Sequence, residues 1–298
     1  MKKDLAARLG PARVPFLLLP PMCALLGWAT ASQEHVPIST LSIILVFIGA
    51  VASHISVNAF NEYADFRSEL DSKTKRTPFS GGSGTLQERP ELAAWALGLA
   101  IGTAILTAAI GIYFVIICGP GILPMGIGGL VIVISYSFWA VRNSFFCLIT
   151  PGLGFGTCMV MGTNFVLSGH YSWSSAIASL IPFFLVNNLL LLNQFPDVEA
   201  DRSVMRKNLP ISAGLNLSAL VYAIFNLLAY AAIVAGVFLK VFPPLALLGL
   251  ATAFLSIPSS IGAFKHSDDI PKLIPSMGQN VVVNLLTPAL LAVGIFWG

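Results

Sequence analysis

Charged residues are scarce in this sequence. Asp, Glu, Lys and Arg make up only 10% of the 298 residues, whereas 56% are hydrophobic. This scarcity excludes an ordinary soluble domain, in which about 25% of the residues carry charge. Together with a mean hydropathy of +0.84, the composition is typical of a protein that crosses a membrane several times.

Cysteine is also rare, and its positions show no metal-binding pattern. Cys23, Cys118, Cys147 and Cys158 lie in or beside apolar segments and lack the paired spacing of zinc ligands. We therefore interpret them as packing residues, which do not indicate a redox compartment.

Long apolar runs occupy most of the chain. A run of about 20 apolar residues can cross a hydrocarbon core of about 30 Å, and in lipid its backbone groups must bond internally. We therefore predict an all-α membrane protein with nine transmembrane helices. The predicted spans are 14–31, 38–60, 92–117, 121–141, 145–168, 173–196, 214–239, 242–264 and 279–297. A cleaved signal peptide is the alternative for the first run, because Lys2 and Lys3 precede it.

The positive charges predict the orientation. With nine spans, 15 of the 16 Lys and Arg residues fall on one side of the membrane, and only Lys240 falls on the other. The positive-inside rule makes the crowded side cytoplasmic, with the N-terminus inside and the C-terminus outside. Acidic residues share this side, with Glu34 as the exception. The rule does not concern acids, so their position needs a separate explanation.

Two charged segments share one residue spacing, 132 residues apart. Each has an asparagine at the end of an apolar span, followed by acids at steps of four residues. The sets are Asn61, Asp65 and Glu69 after the second span, and Asn193, Asp197 and Asp201 after the sixth. Steps of four advance 400° around a helix, so each set would share one helix face. Asp71 can join the acids of the first set only if the helix ends before residue 71. Glu199 should face away from Asp197 and Asp201.

These sets favour a cation site over two solvated helix ends. An ionisable group in a membrane costs about 2.5–3.5 kcal/mol near the centre, and acids on one face repel each other. A bound cation would remove both costs. Carboxylate and amide oxygens suit Mg²⁺ or Ca²⁺, and the sets contain no His or Cys to bind zinc.

Basic residues beside the acids indicate a phosphorylated substrate. Mg²⁺ is commonly held by one or two carboxylates together with substrate phosphates. The candidate phosphate ligands are Lys73, Lys75 and Arg76 after the first set, and Arg202, Arg206 and Lys207 after the second. Their alternative role is to orient the chain or to contact lipid headgroups. The segment 80–84, SGGSG, could bring backbone amides to a phosphate or form a flexible turn. With so much apolar sequence, an isoprenoid diphosphate fits best.

The segments NEYADFRSELD and NQFPDVEAD resemble the two aspartate-rich motifs of the UbiA-type intramembrane prenyltransferases. The resemblance covers most of the chain, including YSFWAVR after the fourth span. It implies nine helices around a central cavity beneath a cytoplasmic cap, with motifs that bind Mg²⁺ and diphosphate. We expect one domain over 1–298, with four-helix pseudo-repeats over 14–141 and 145–264 and a final helix over 279–297.

The resemblance also implies roles for individual residues. The implied metal ligands are Asp65, Glu69 or Asp71, Asp197 and Asp201. Asn61, Asn193 and Arg142 join the basic residues as diphosphate ligands, and Tyr136 is a catalytic candidate. The spacing Asp65-x5-Asp71 and the following PFSGGSGTL are most similar to the branch that prenylates dihydroxynaphthoate in menaquinone synthesis. Two positions depart from the family pattern: Glu62, where Asp is common, and Phe155, where an acid is common.

We therefore expect Mg²⁺-dependent transfer of a polyprenyl group from its diphosphate to an aromatic acceptor, 1,4-dihydroxy-2-naphthoate or a related quinone precursor. The alternatives are another acceptor (4-hydroxybenzoate, a glyceryl phosphate lipid, a haem or a chlorophyll-type ring) or a cation-coupled transporter. Transport is less favoured because the acids cluster at one surface. The expected partners are the two substrates and the lipid bilayer, without nucleic acid. His54 is either a base or a packed polar residue, and Asn187, Asn188 and Asn284 either line a cavity or bond between helices.

Overall fold

The computed structural model describes residues 2–298, except for the side chains of Lys2, Lys3 and Asp71. Throughout this part of the chain, every regular element is a helix. The α-helices are α1 (Lys2–Leu9), α2 (Leu19–Ser32), α3 (Thr40–Arg67), α4 (Leu70–Lys73), α5 (Thr85–Glu88), α6 (Ala93–Cys118), α7 (Leu123–Ser135), α8 (Ser144–Gly152), α9 (Gly162–Ser168), α10 (Trp173–Asn193), α11 (Val198–Ser203), α12 (Leu209–Phe238), α13 (Ala253–Lys265) and α14 (Ile270–Trp297). The prediction of an all-α fold is confirmed.

Eight helical segments of the described chain are long and apolar enough to cross a membrane, which makes this a multi-pass membrane protein. They are Val14–Ser32, Thr40–Arg67, Pro90–Cys118, Ser144–Ser168, Trp173–Asn193, Leu215–Phe238, Pro244–Lys265 and Ile270–Trp297. A ninth apolar helix, Pro120–Ser135, is shorter. At 1.5 Å per residue it is about 24 Å long, less than a hydrocarbon core of about 30 Å. The predicted count of nine is therefore not confirmed.

Two predicted spans have different bounds in the structure. The span predicted over 121–141 is shorter in the structure: helix α7 ends at Ser135, a turn over 136–139 follows, and Trp139 (φ −125°) leads into a short 3₁₀ turn at Ala140–Arg142. The last helix begins at Ile270 rather than at residue 279. The Asp269 side chain accepts a hydrogen bond from the Lys272 amide and caps this helix before its apolar part begins.

Helix α10 lies at the centre of the bundle and packs against α8, α12 and α14. A close approach to α8 and the segment after it depends on glycine. A Cβ added at Gly156 would lie 2.5 Å from the backbone oxygen of Ser179. The amide of Gly152 donates to Asn187 Oδ1 at 2.6 Å, and Asn188 donates to the Tyr222 carbonyl at 2.7 Å. These asparagines therefore bond between helices, and neither lines the central cavity.

A π-helical segment, Leu153–Met161, joins α8 to α9 and completes the span Ser144–Ser168. In a π-helix each amide bonds five residues back, so the turns are wider than in an α-helix. Phe155, Cys158 and Met159 from this segment face the cavity. The segment therefore forms one wall of the site described below.

Candidate active site

An elongated cavity of about 550 Å³ lies inside the bundle. Along α3 its lining extends from Asp65 to Leu45, and twenty helical residues correspond to about 30 Å. The end near Asp65 is polar, whereas α6, α7 and the π-helical segment surround the rest with apolar side chains. We call the polar end the motif end.

The motif end collects seven of the predicted site residues. These residues are Asn61, Asp65, Tyr136, Asn193, Asp197, Asp201 and Arg206. They come from segments far apart in the sequence, and the structure places all of them on one chamber. Helix α4, which follows the first motif, also packs against α11, which carries Asp201 of the second motif.

The first motif lies on the last turns of α3. Asn61 donates its amide to Asp65 Oδ2 at 2.9 Å, as expected for residues four apart on one face. The expectation that Glu69 continues this face is wrong. The helix ends at Arg67, and Glu69 is exposed in a left-handed conformation with φ of 57°. The Asp71 side chain lies outside the described residues, so its predicted role stays a prediction.

The second motif is not one continuous helix. Helix α10 ends at Asn193, a turn follows, and α11 begins at Val198. Asn193, Asp197 and Asp201 nevertheless all line the chamber, because the Asp201 amide bonds back to the Asp197 carbonyl at 2.8 Å. Glu199 faces away as expected, with its side chain 84% exposed and paired with Arg202.

Arg206 connects the two motifs. Its guanidinium forms an ion pair with Asp65 and donates a second hydrogen bond to Asp201 Oδ1 at 3.3 Å. Asn208 donates to the other oxygen of Asp201 at 2.7 Å. Both carboxylates are almost completely buried, and burial raises the pKa of Asp201. One arginine therefore compensates two acids that would otherwise repel each other.

Two oxygens at the motif end remain without a partner. Asn193 Oδ1 and Asp197 Oδ1 are buried and accept no hydrogen bond from the described part of the chain. Burial, followed by the nearby charge of Asp201, raises the pKa of Asp197 to about 7. Unpaired carboxylate and amide oxygens are the ligands that a hard divalent cation prefers. The residues present therefore fit Mg²⁺.

The protein groups at this site do not complete a metal site without further ligands. Within the described part of the chain, no three His, Cys, Asp or Glu side chains are arranged to hold a metal ion. Mg²⁺ commonly keeps its waters and shares ligands with substrate phosphates. The donor set therefore suits a cation that enters together with a phosphorylated ligand.

Sequence reasoning missed two residues at the motif end. Arg13 lines the chamber in a left-handed conformation (φ 51°), and its Nε is buried without a partner in the part of the chain that the structure describes. Its Nη2 lies 3.4 Å from Glu62 Oε2, and Glu62 is fully buried. Arg13 is the basic residue next to the first apolar run, which is the signal that could have identified it. Glu62 was noticed only as a departure from the family pattern.

Glu62 also holds the glycine-rich segment. Its carboxylate accepts hydrogen bonds from the Ser83 amide at 3.1 Å and from Ser83 Oγ at 2.5 Å. Gly81 and Gly82 line the chamber with φ of 84° and 70°, which residues with a side chain rarely adopt. Of the two roles considered for this segment, phosphate binding through backbone amides or a flexible turn, the first stays a prediction; the structure places Ser80, Gly81 and Gly82 on the chamber.

Most of the predicted phosphate-binding cations lie outside the chamber. Lys73, Lys75, Arg76, Arg142, Arg202 and Lys207 are exposed and do not line it. Arg76 instead donates to Gln87 at 2.7 Å. Of the basic residues described, Arg206 and Arg13 line the chamber.

His54 lies deeper in the cavity. It is eleven residues before Asp65 on α3, or about 16 Å along the helix. Its ring packs against Phe155 with a centroid distance of 5.1 Å, and neither ring nitrogen has a hydrogen-bond partner among the described side chains and backbone. This position is too far along the helix for His54 to contact the acids.

The sequence and the fold both match known proteins. The model of the UbiA prenyltransferase family matches residues 18–272. This chain belongs to the UbiA prenyltransferase family. It is therefore a membrane-embedded prenyltransferase, and the prediction of the family and of the enzyme class is confirmed.

Relatives of this UbiA-family chain span nearly its whole length. It is 24% identical over 276 residues to 1,4-dihydroxy-2-naphthoate octaprenyltransferase of Bacillus subtilis strain 168, covering 91% of this chain and 86% of that protein. A UbiA homologue from Aeropyrum pernix K1 has the same fold, with a TM-score of 0.70 and 20% identity. The match covers 95% of this chain and 97% of that one. A UbiA homologue from Archaeoglobus fulgidus bound to DMAPP and Mg²⁺ also has the same fold, with a TM-score of 0.63 and 15% identity. The match covers 97% of this chain and 98% of that one.

Proposed function

We propose that this UbiA-family enzyme transfers a polyprenyl group from polyprenyl diphosphate, with Mg²⁺, to 1,4-dihydroxy-2-naphthoate or a related aromatic quinone precursor. The observation that carries the proposal is the convergence of both acidic motifs on the polar end of one apolar cavity. A polyprenyl diphosphate has the same division between a charged head and a hydrocarbon tail. The naphthoate acceptor is supported by the named activity of the Bacillus subtilis relative.

In this proposal the motif end binds the diphosphate head. Bound Mg²⁺ would neutralise the negative charge that grows on the departing diphosphate. Asn193, Asp197 and Asp201 would hold the cation, and Asp65 would do so from the first motif. Arg13 and Arg206 supply positive charge at the same end, so the allylic C–O bond breaks in a site that stabilises the leaving group.

The remaining residues protect and orient the allylic group. Tyr136 lines the chamber together with the acids, and an aromatic ring attracts positive charge. Apolar side chains of α6 and α7 exclude water that would capture an allylic cation. The acceptor carbon then attacks the cation and loses a proton. We further propose that the motif end faces the cytoplasm, because the basic residues cluster there.

The proposal is tested by the mass of the product. The purified protein in lipid nanodiscs would receive Mg²⁺, octaprenyl diphosphate and an equimolar panel of aromatic acceptors. We expect a product that contains the naphthoate ring and one octaprenyl group, with one diphosphate released per product, and no product in excess EDTA. A product from another acceptor would reject the naphthoate assignment. Cation flux in liposomes without diphosphate release would reject prenyl transfer altogether.

The link between Glu62 and the glycine-rich segment gives a second prediction. Replacing Glu62→Ala releases Ser83 and removes the ion-pair partner of Arg13. Groups that position ligands in this way commonly contribute a factor of about 10–100. We expect KM for the prenyl diphosphate to rise about tenfold, with a smaller change in kcat.

The matched control for this measurement is Glu88→Ala, in which an exposed carboxylate is lost from the end of α5, the short helix after the glycine-rich segment. We expect its kinetic constants to equal those of the unmodified enzyme. An unchanged KM in Glu62→Ala would show that the glycine-rich segment does not contribute to binding of the donor.

A further inference from the structure

A second, smaller cavity lies beside the motif end and outside the chamber. It has a volume of about 240 Å³, which leaves room for a ligand the size of a phosphate group, and Arg67, Arg142 and Arg206 line it. We call it the arginine pocket. None of the described residues that line it is acidic. Three cations around one cavity repel each other, so the arginine pocket favours an anionic ligand.

The acids of the two motifs compensate only one of these arginines. Arg206 directs its guanidinium toward Asp65 and Asp201, which line the chamber. Arg67 and Arg142 are exposed, and neither forms an ion pair within the described part of the chain. The arginine pocket therefore keeps a net positive charge.

A buried hydroxyl group also lines the arginine pocket. Ser137 is only 5% exposed, and its Oγ has no hydrogen-bond partner among the residues that the structure describes. An unsatisfied buried hydroxyl is costly for a folded protein. A phosphate oxygen in the pocket could accept a hydrogen bond from Ser137. The same ligand would thus satisfy a charge requirement and a hydrogen-bond requirement.

Exposed aromatic side chains place the arginine pocket beside the lipid headgroups. Phe138 lines the pocket and is 46% exposed, and the adjacent Trp139 is 56% exposed. Trp139 packs on Phe146, with ring centroids 4.7 Å apart. Tryptophan at the ends of membrane-spanning helices commonly lies at the level of the headgroups. Helix α3 ends nearby at Arg67, as expected at a membrane surface.

The walls of the arginine pocket come from three segments that also build the motif end. Arg67 lies at the end of α3, two residues after Asp65. The connection between α7 and α8 carries Tyr136 and Arg142, and Arg206 follows α11. A ligand bound to all three arginines would hold these segments together, although it would lie outside the chamber.

We infer that the arginine pocket binds the phosphate group of an anionic phospholipid and that this headgroup joins the three segments. Basic pockets between membrane helices bind such headgroups. A soluble phosphate or diphosphate has the same oxyanion chemistry, but the exposed aromatic side chains beside the pocket suit a ligand with acyl chains. The site is separate from the chamber proposed for the substrate diphosphate, and Arg206 lines both.

The double variant Arg67→Gln/Arg142→Gln tests this assignment. Neither arginine lines the chamber, and both are exposed, so the changes should leave folding intact. The matched control is Arg202→Gln, the same chemical change on an exposed arginine that lines neither cavity. Phosphatidylglycerol would be titrated into each purified protein in dodecyl maltoside, with zwitterionic phosphatidylcholine as the reference lipid. Native mass spectrometry would count the bound lipids.

We expect one phosphatidylglycerol to bind the unmodified protein more tightly than phosphatidylcholine does. A basic residue at an anionic lipid surface contributes a factor of about five in affinity. The affinity for phosphatidylglycerol should therefore fall about 25-fold in the double variant and stay unchanged in Arg202→Gln. Equal affinity of the double variant and the unmodified protein would overturn the inference.

Melting temperatures provide a second measurement. Phosphatidylglycerol should raise the melting temperature of the unmodified protein and of Arg202→Gln, because a ligand that binds the folded state stabilises it. It should raise that of the double variant much less. Inorganic phosphate and diphosphate would be titrated separately in EDTA. If they gave the increase that the double variant loses, and phosphatidylglycerol did not, the pocket would bind a soluble anion and the inference would be overturned.

Transfer kinetics distinguish the arginine pocket from the substrate site. In nanodiscs of phosphatidylcholine alone, the double variant should have the same kcat/KM for octaprenyl diphosphate as the unmodified enzyme. A loss of about 100-fold, typical of a missing group that stabilises developing charge, would place Arg67 and Arg142 at the substrate diphosphate. That result would overturn the assignment of a separate lipid site.

Discussion

Replacing Asp197→Asn should lower kcat/KM for prenyl transfer by about 100- to 1000-fold, the range expected when one preorganised group that stabilises developing charge is lost. Asp197 Oδ1 is buried and has no hydrogen-bond partner among the residues that the structure describes. Asparagine has nearly the same shape but removes the negative charge that a divalent cation would need. The defect should therefore concern chemistry and cation dependence rather than folding.

The control for this variant lies two residues further along the chain. Glu199→Gln makes the same chemical change on a side chain that is exposed and paired only with Arg202, and it should retain full transfer. Kinetics would be measured across a range of Mg²⁺ concentrations, with Asp65→Asn as the equivalent change in the first motif. Undiminished transfer by correctly folded Asp197→Asn and Asp65→Asn would contradict the proposed site.

The second large effect concerns stability. Arg206→Met removes the cation that joins Asp65 and Asp201 and leaves both buried carboxylates uncompensated. Losing one partner of a buried ion pair commonly costs about 3–5 kcal/mol in the free energy of unfolding. In EDTA, we expect a clearly lower apparent melting temperature than for the unmodified protein. Added Mg²⁺ should raise the melting temperature of the variant more than that of the unmodified protein, because in the variant the bound cation replaces the missing positive charge.

The comparison variant is Arg202→Met. Arg202 pairs with Glu199 at 3.1 Å, but both side chains are exposed, and such surface pairs contribute only about 0–1 kcal/mol. Melting temperatures in EDTA and in increasing Mg²⁺ would be compared for both variants. Equal melting behaviour of Arg206→Met and Arg202→Met would mean that Arg206 does not compensate the two motifs.

Hydropathy was sufficient to predict the helical class, local spacing brought out most of the motif end, and the resemblance of the two motifs to a known pattern indicated the family. Membrane-length apolar runs leave little choice of secondary structure. The paired asparagine and aspartate residues were found because they occur at the ends of two such runs. Tyr136 and Arg206 were also predicted near the acids, and they line the same chamber.

The incorrect or missed site residues are those whose position depends on one local backbone conformation or on tertiary packing. Glu69 would share a face with Asp65 on a longer helix, but the left-handed turn after Arg67 directs it outward. Charge alone could not distinguish Arg206 from Lys207, its exposed neighbour. Arg13 and Glu62 are 49 residues apart, and only tertiary packing brings them together. Such contacts depend on the fold and leave no local pattern in the sequence.

The wide turns of Leu153–Met161 restrict how this enzyme can change during evolution. Each residue added to or removed from an α-helix rotates everything beyond it by about 100°, and the wider turns of a π-helix give a somewhat smaller rotation per residue. In the π-helical segment, such a change would rotate side chains away from the cavity that they now line. The side chains concerned are Phe155, Cys158 and Met159. Relatives that adapt the cavity to other acceptors should therefore exchange side chains here while conserving the length of the segment.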